Sequence, residues 1–441
     1  MRIDTGPRSE PYSFPYIVRN GQPQRTEVVI TGYGVLSPIG IGNEPFWRAL
    51  CDGVSGIRLL RSLDTSELPV HIGAEILDFD PKLYVRPRKS LKVMARDTQF
   101  GVAAADLACQ HAGLAPGKLD PDRMGVVFGA DSIATEVSES INCYRRCMVE
   151  GEFDFNLFGS KGILETYPLL FLKILPNMIA SHIAIAQDAR GPNNTIHQGD
   201  VSSLLAIGEA VRAIERGVAD VMIAGGSSSH IQPVDWVRAS LFDNLATESE
   251  HPEQACRPFD AHHCGQVRGE GAAALVLESR SHAVARGATI RARIAGTASA
   301  NEPYQPGKPL TGRGLRLALQ RALADAELSA SEIGLICAHG SGAEALDRVE
   351  AVALHEVFGD TPVTALKSYF GNLSAAGGAV EAVACLLALE HGLVPPTLNY
   401  DTPDPACPIN VVHGGPLTGP RPTAVINNLC ATGQAAAVVL T

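Results

Sequence analysis

Residues 195–210, TIHQGDVSSLLAIGEA, predict a short buried strand, a tight turn and the first turns of a helix. A strand–turn–helix unit of this kind presents the residue at its turn to a cleft, often as a nucleophile. Here the residue at the turn is Asp200, a carboxylate. The chain therefore has a strand–turn–helix unit typical of a nucleophile, with an acidic side chain at the position of the nucleophile.

The unit has a counterpart later in the chain. Residues 363–392, VTALKSYFGNLSAAGGAVEAVACLLALEHG, again predict strand, turn and helix, and strand-like runs alternate with helical patterns, such as those at 44–52 and 92–114. This alternation predicts an α/β fold made of two duplicated halves whose two turns face one cleft. The expected boundaries are an N-terminal extension at 1–26, a first half at 27–290 and a second half at 291–441.

Composition restricts the class of protein. The 441 residues are 45% hydrophobic and 19% charged, which is typical of a folded chain with a large core. The net charge of −11 argues against nucleic acid as a partner. Residues 167–186, YPLLFLKILPNMIASHIAIA, are the most apolar run, but Lys173, Pro176 and His182 interrupt it, so no membrane span is expected.

The cysteines and the N-terminus indicate a cellular compartment. Ten cysteines are scattered without a CxxC pair, so neither a disulfide framework nor a zinc site is expected. Residues 1–26 lack the apolar core of a signal peptide and predict a surface extension or a loosely ordered one. We therefore expect a cytoplasmic protein with reduced thiols.

Several stretches of the chain together carry a family resemblance. The main ones are VVITGYGVLSPIG (28–40), GPNNTIHQGDVSS (191–203), RPFDAHHCGQVRGEGAAALVLE (257–278), AHGSGAEALDRVEA (338–351), ALKSYFGNLSAAGGAVEAV (365–383) and INNLCATGQA (426–435). Together they resemble the β-ketoacyl-acyl-carrier-protein synthases of the thiolase superfamily. The resemblance runs from about residue 27 to 441, and the order and spacing of the stretches make it specific.

The resemblance implies a thiolase-like αβαβα layered fold, a tight dimer and an acyl thioester substrate. It implies no cofactor beyond the phosphopantetheine carried by an acyl carrier protein. In the family a Cys at the first turn takes the acyl chain, two further groups stabilise an enolate, and a Lys holds the second turn.

The family's site residues are transferred by position. Asp200 stands where the family has its Cys, His339 matches the first His, and Lys367 matches the Lys. Asn372 stands where a second His is usual, and an Asn amide also donates to an enolate oxygen.

The segments that line the family's cleft are also altered. Ala431 replaces the Phe that gates the acyl pocket, and Gln266 stands where an aromatic residue is frequent. The resemblance places Cys430 and Cys264 in the lining, where each is either a small buried apolar residue or a displaced nucleophile.

Asp200 is interpreted as a helix N-cap, and the alternative is a residue that takes part in the reaction. As a helix N-cap it would gain about 0.3–1 kcal/mol from the helix dipole, and the same field would lower its pKa. A carboxylate with a low pKa is a weak base and would repel a malonyl group, so a ketosynthase reaction through Asp200 is disfavoured.

The remaining polar residues also keep alternatives. His339 follows a buried strand and is expected in the cleft rather than inside the core, and Lys367 is expected to form a structural salt bridge with Glu381 or Glu350. Asn372 is either a second N-cap or a polar site residue. His262 and His263 beside Cys264 lack the spacing of a metal site, so a solvated loop is expected.

Two segments suggest contacts with partners. Residues 82–96 carry six basic residues, and Arg86, Arg88, Lys89 and Lys92 are expected either to steer an acidic carrier protein or to form an ordinary charged helix face. Residues 153–180 are apolar and aromatic, and by resemblance they lie near a dimer interface and acyl tunnel, with core packing as the alternative.

Three functional hypotheses follow. The first is a non-elongating, chain-length-factor-type partner of an active ketosynthase, in a heterodimer with a Cys-bearing paralogue. The second is an enzyme of the same fold with Cys-independent chemistry: a decarboxylase, hydrolase or acyltransferase using His339, Asn372 and Asp200. The third is a scaffold that binds only carrier protein.

Overall fold

The computed structural model describes residues 18–19, 22–23 and 25–441. The expected extension at 1–26 therefore lies largely outside the described residues. Residues Val18–Arg19 and Gln22–Pro23 form a small antiparallel pair.

One large mixed sheet runs through the molecule. Its strands, which we number in chain order, are β1 Val28–Ser37, β2 Met124–Gly129, β3 Asn193–Ile196, β4 Val221–Ser229, β5 Glu270–Ser279, β6 Ala292–Asn301, β7 Leu335–Cys337, β8 Pro362–Thr364, β9 Asn410–Val411, β10 Ala424–Leu429 and β11 Gln434–Leu440. The two-residue strand Gly40–Ile41 pairs with β1 in the same sheet. Three separate two-stranded sheets are formed by Arg58–Leu59 with Ile72–Gly73, Met148–Val149 with Glu152–Phe153, and Leu393–Val394 with Leu417–Thr418.

The strand order demonstrates the duplication. From its outer edge the first half reads β3-β2-β4-β5-β1, and the second half reads β8-β7-β10-β11-β6 with β9 added outside β8. In both halves the first strand lies innermost, the last strand lies beside it, and the third lies outermost of the five equivalent strands. The two halves meet where β1 pairs with β6. The prediction of two duplicated halves is confirmed.

Twelve α-helices are described: α1 Asn43–Cys51, α2 Arg96–His111, α3 Val137–Cys147, α4 Leu170–Ile174, α5 Met178–Gln187, α6 Ser202–Glu215, α7 Pro233–Phe242, α8 Arg280–Ala285, α9 Arg313–Ala326, α10 Glu344–Phe358, α11 Lys367–Phe370 and α12 Gly377–His391. The helix expected at 92–114 is shorter, because residues Arg88–Val93 form a 3₁₀ turn before it. Helices α2 and α9 cover the outer faces of the two halves, and α6 and α12 pack together in the middle.

The central helix α12 shows why the layers form. Every residue from Gly377 to Ala388 is buried, since the sequence is apolar on all sides apart from Glu381. Gly378 permits the close approach, because a Cβ there would lie 2.3 Å from Asn428 Oδ1 and 2.6 Å from Leu204 Cγ. This helix therefore packs against strands of both halves of the sheet and holds the two turns against each other.

Among the described residues, no helix combines the length and the apolar character required to cross a bilayer.

Candidate functional site

Three neighbouring parallel strands end at the same edge of the sheet. β3 and β4 each pair in parallel with β2. Asp200 follows β3, Asp131 follows β2 and His230 follows β4. The carboxyl ends of such strands are where α/β sheets build their sites, and the fold thus gathers these polar side chains without any sequence proximity.

The second half completes a cleft of about 460 Å³. The turn after β8 contributes Asn372 and Ser374, and the bend between β10 and β11 contributes Cys430 and Ala431. The full lining is Asp131, Ser132, Gly199, Asp200, His230, Asp235, Arg238, Asp243, Gln266, Arg268, Asn372, Ser374, Cys430, Ala431 and Thr432. The prediction that both turns face one cleft is therefore confirmed, and the cleft is strongly polar.

Asp200 does not cap the helix, so that interpretation was wrong. It lies in the 3₁₀ turn Gly199–Val201, where no side-chain cap is made. The Ser202 hydroxyl stabilises the turn itself: it accepts from the Gln198 N–H at 2.8 Å and donates to the Gly199 carbonyl at 2.7 Å. The Asp200 side chain is left free to face the cleft.

The prediction that Asp200 has a low pKa was also wrong. Loss of water around the carboxyl raises the pKa of Asp200, and the Lys367 charge and a hydrogen bond from Asn372 offset only part of that effect. Asp200 is therefore a better proton acceptor than its place in the sequence suggests.

Lys367 makes the structural ion pair that the sequence predicted. Its Nζ lies 2.5 Å from Glu381 Oε1, and Glu381 Oε2 accepts from Asn428 Nδ2 at 2.7 Å. Lys367 is fully buried and does not line the cleft, but its charge acts on the carboxyl of Asp200.

His339 is buried and does not line the cleft, which corrects the expected cleft position. Neither ring nitrogen has a hydrogen-bond partner among the described residues. Burial and then the Lys367 charge hold the pKa of His339 well below its usual range, so the imidazole is neutral. Its backbone N–H donates to Glu350 Oε1 at 2.7 Å, which fixes the loop.

Asn372 is a polar site residue and not an N-cap, because neither the 3₁₀ turn Ser374–Ala376 nor α12 has a side-chain cap. Its Oδ1 accepts from the Ser374 N–H at 2.9 Å, which stabilises the turn before α12. Its Nδ2 donates to Gln266 Oε1 at 3.0 Å in the cleft wall. The amide thus lies between Gln266 and Asp200 and contacts both.

A network around Asp131 was not predicted. His230 Nε2 lies 3.1 Å from Asp131 Oδ2 and His230 Nδ1 lies 3.8 Å from Asp235 Oδ2, while the Ser374 hydroxyl donates to Asp131. Burial would lower the pKa of His230, but its two carboxylate neighbours outweigh that effect and raise it to about 10. The sequence signal was a polar residue one or two positions after each of two buried strands.

The other lining predictions are partly correct. Gln266, Ala431 and Cys430 line the cleft as expected. Cys264 does not, because it is exposed in a separate groove beside His251 and Arg257. His262 is solvated as predicted, but the His263 side chain is buried between Asp347 and Asp404, so the expected solvated loop is wrong at that residue.

The basic segment is a surface feature. Arg86, Arg88, Lys89 and Lys92 are all exposed, and Arg86 donates to backbone carbonyls of its own turn. The segment precedes α2, so an ordinary α-helix face does not describe it.

The apolar segment 153–180 also lies largely at the surface. Phe155, Leu164 and Phe171 are 81%, 80% and 69% exposed. Core packing is therefore wrong for these three side chains.

Comparison with solved structures defines the class of the fold. The structure matches the ishigamide ketosynthase/chain length factor with a TM-score of 0.81 and 31% identity, over 95% of this chain and 99% of that one. It also matches a type II polyketide synthase acyl carrier protein in complex with its ketosynthase bound to the hexaketide, with a TM-score of 0.79 and 29% identity, over 95% of this chain and 99% of that one. The fold is thus that of the thiolase-like ketosynthases.

Sequence comparison gives the family. Residues 25–283 match Beta-ketoacyl synthase, N-terminal domain, and residues 291–401 match Beta-ketoacyl synthase, C-terminal domain. A polyketide beta-ketoacyl synthase 1 of Streptomyces halstedii is 37% identical over 396 residues, 87% of this chain and 90% of the relative. A 3-oxoacyl-[acyl-carrier-protein] synthase 2 of Coxiella burnetii is 33% identical over 394 residues, 88% of this chain and 92% of the relative. The chain belongs to the β-ketoacyl synthase family.

Proposed function

We propose that this protein is a non-elongating, chain-length-factor-type partner of an active β-ketoacyl synthase. The observation that carries the proposal is Asp200 at the turn before α6, where a thiolate would have to accept the acyl chain. An acyl group on a carboxylate is a labile mixed anhydride, whereas a thiolate gives a stable thioester.

The cleft thiol does not replace the missing nucleophile. Among the residues that line the cleft, Cys430 carries the one thiol. Burial and the nearby Asp200 raise the pKa of Cys430 to about 12. It therefore stays protonated at neutral pH, and a protonated thiol is a poor nucleophile.

The surface supports a dimeric partnership. β3 is the outer strand of the first half, so one side of its backbone is unpaired within the sheet. Such an edge pairs readily with another strand, and the exposed Phe155, Leu164 and Phe171 supply apolar area for an interface. The proposed partner is a ketosynthase that carries the Cys, as in the heterodimer that the sequence predicts.

The proposed substrate carrier is an acyl carrier protein in the cytoplasm. Arg86, Arg88, Lys89 and Lys92 form an exposed basic segment on a chain of net charge −11. Such a local patch attracts an acidic carrier during encounter. The phosphopantetheine of the carrier is the one prosthetic group that the reaction requires, and it would arrive with the substrate.

The test compares the chain alone with the chain co-expressed with a β-ketoacyl synthase that carries the Cys. Each preparation receives acyl and malonyl carrier thioesters, and products and acylated chains are measured by mass. We expect condensation and acylation with the partner present, and the acyl group on the partner. Condensation by the chain alone, or a thioester on Cys430, would refute the proposal.

A second candidate is Cys-independent chemistry on acyl-carrier thioesters, as a decarboxylase, hydrolase or acyltransferase. The raised pKa of Asp200 favours it, because the carboxylate is then a usable base beside the amide of Asn372. If this candidate is correct, the purified chain turns over malonyl or acyl carrier thioesters without a partner, and Asp200→Asn abolishes that turnover. Unchanged turnover in Asp200→Asn excludes a base role for Asp200.

A further inference from the structure

Two loops that are far apart in sequence bring three metal-ligand side chains together. His263 lies in the loop before β5, and Asp404 and Cys407 lie in the loop before β9. One ligand atom from each residue lies within 4.8 Å of the other two. We propose that His263, Asp404 and Cys407 form a zinc-binding site outside the cleft.

The distances fit a tetrahedral ion. Zinc bonds of about 2.0–2.3 Å to N, O and S place neighbouring ligand atoms roughly 3.3–3.8 Å apart. His263 Nε2 lies 3.3 Å from Asp404 Oδ2, and Cys407 Sγ lies 3.9 Å from the same oxygen. Three protein ligands of this kind leave a fourth position for water.

The second nitrogen of His263 has the partner that metal-bound histidines use. His263 Nδ1 lies 3.4 Å from Asp347 Oδ2, in a side chain that is 3% exposed. It makes no well-formed hydrogen bond within the described part of the chain. A carboxylate behind a ligating histidine fixes the ring and strengthens the ligand, and only a small movement would complete that contact.

The site has an entrance. A groove of about 530 Å³ lies over the loop before β9, and both Asp404 and Cys407 line it together with Tyr400 and Pro403. The two ligand side chains are buried at its floor. An ion therefore reaches them from solvent without unfolding of the core.

Arg348 competes for the same carboxylate. Its Nε lies 2.8 Å from Asp404 Oδ2. The guanidinium also pairs with Glu344 and its side chain is 42% exposed, so it keeps a partner if it moves outward. As the zinc bonds form, the thiol proton of Cys407 and any proton held by His263 leave to solvent, and no oxidation or reduction occurs.

The site would act on the loop that holds His339. Asp347 accepts from the backbone N–H groups of Ser341 and Gly342, at 2.8 and 3.1–3.2 Å. Zinc on His263 would orient the imidazole toward Asp347 and thereby tie the two loops to this turn. The proposed role is to position the loop, and it does not depend on the proposed function.

The experiment uses the full chain, freed of metal with a chelator and titrated with Co²⁺ and then Zn²⁺. We expect one Co²⁺ per chain with a thiolate-to-cobalt charge-transfer band and tetrahedral visible bands, both lost when Zn²⁺ displaces Co²⁺. Cys407→Ser should remove the charge-transfer band and weaken Zn²⁺ binding by about tenfold or more. Cys264→Ser, beside His263 but exposed in another groove, is the matched control and should bind normally.

Two results would overturn the site: no stoichiometric Co²⁺ binding, or a charge-transfer band that survives Cys407→Ser. Circular dichroism checks that the variant is folded. If it is not, protection of Cys407 from alkylation by Zn²⁺ in the unaltered chain decides the question, since an unprotected thiol refutes the ligand assignment.

Discussion

Lys367 Nζ lies 2.5 Å from Glu381 Oε1, and the two side chains are only 1% and 0% exposed. The pair joins α11 to α12. It therefore connects the turn that carries Asn372 to the buried central helix. A charge pair at this depth is costly to remove from one side, because the remaining charge has no water to stabilise it.

We therefore predict that Lys367→Met lowers the free energy of unfolding by about 3–5 kcal/mol. Urea unfolding followed by circular dichroism measures this change. The control is Arg48→Ala, which breaks the exposed pair of Arg48 with Glu44 and should change stability by less than about 1 kcal/mol. A similar loss of unfolding free energy in both variants would show that the buried pair stabilises the protein no more than an exposed pair does.

The sequence predicted the fold well because local patterns repeat. Alternating strands and helices, and two turns followed by apolar helices, were sufficient to predict the duplicated halves and the meeting of Asp200 with Asn372. The ion pair of Lys367 was also predicted, since a buried lysine needs an acidic partner.

The electrostatics of the site were not predictable in the same way. The pKa of Asp200 depends on how much water the opposite half excludes, and the pKa of His230 depends on Asp131 and Asp235, which come from other elements. His339 was placed in the cleft on its context alone, but the distance between a loop and a cleft wall is decided by tertiary packing. These properties depend on contacts between segments that are distant in sequence, and a local sequence pattern does not reveal such contacts.

The pKa of Asp200 leads to a prediction about stability. Burial raises this pKa in the folded protein, so the folded state holds a proton that the unfolded state releases. The carboxyl therefore costs stability above the unfolded pKa of about 3.9, and this cost grows until the pH passes the folded pKa. We expect Asp200→Asn to be more stable than the unaltered protein at pH 7, with the difference vanishing near pH 3.5.

Urea midpoints at a series of pH values test this sign. The control is Asp52→Asn, which removes an exposed carboxylate next to α1. A variant at Asp200 that is less stable at pH 7 would show that the carboxylate is stabilised in place and that its pKa is not raised.

The apolar surface leads to a prediction about assembly. Phe171 and Leu164 are exposed apolar side chains of the proposed interface, so an acidic side chain at either position would be buried there without a partner. Phe171→Asp and Leu164→Asp should each weaken association by about tenfold or more, which sedimentation velocity measures over a concentration series. Val284→Asp, at a 62% exposed apolar residue on α8, should leave association unchanged. Equal effects from all three substitutions would point to general unfolding.

Residue 200, the position of the family's nucleophile, leads to a prediction about acylation. Asp200→Cys places a thiol at the turn in front of α6, where the Lys367 charge and the amide of Asn372 favour the anionic form of the side chain. We expect this variant to acquire a stable acyl thioester from an acyl carrier thioester, while the unaltered chain acquires none. Intact-mass measurement after incubation detects the added acyl group, and digestion locates it. The double variant Asp200→Cys with Cys430→Ser should acylate equally, which shows that the introduced thiol carries the group. If Cys430→Ser alone abolishes an acylation already seen in the unaltered chain, the cleft has a working nucleophile and the non-elongating role is wrong.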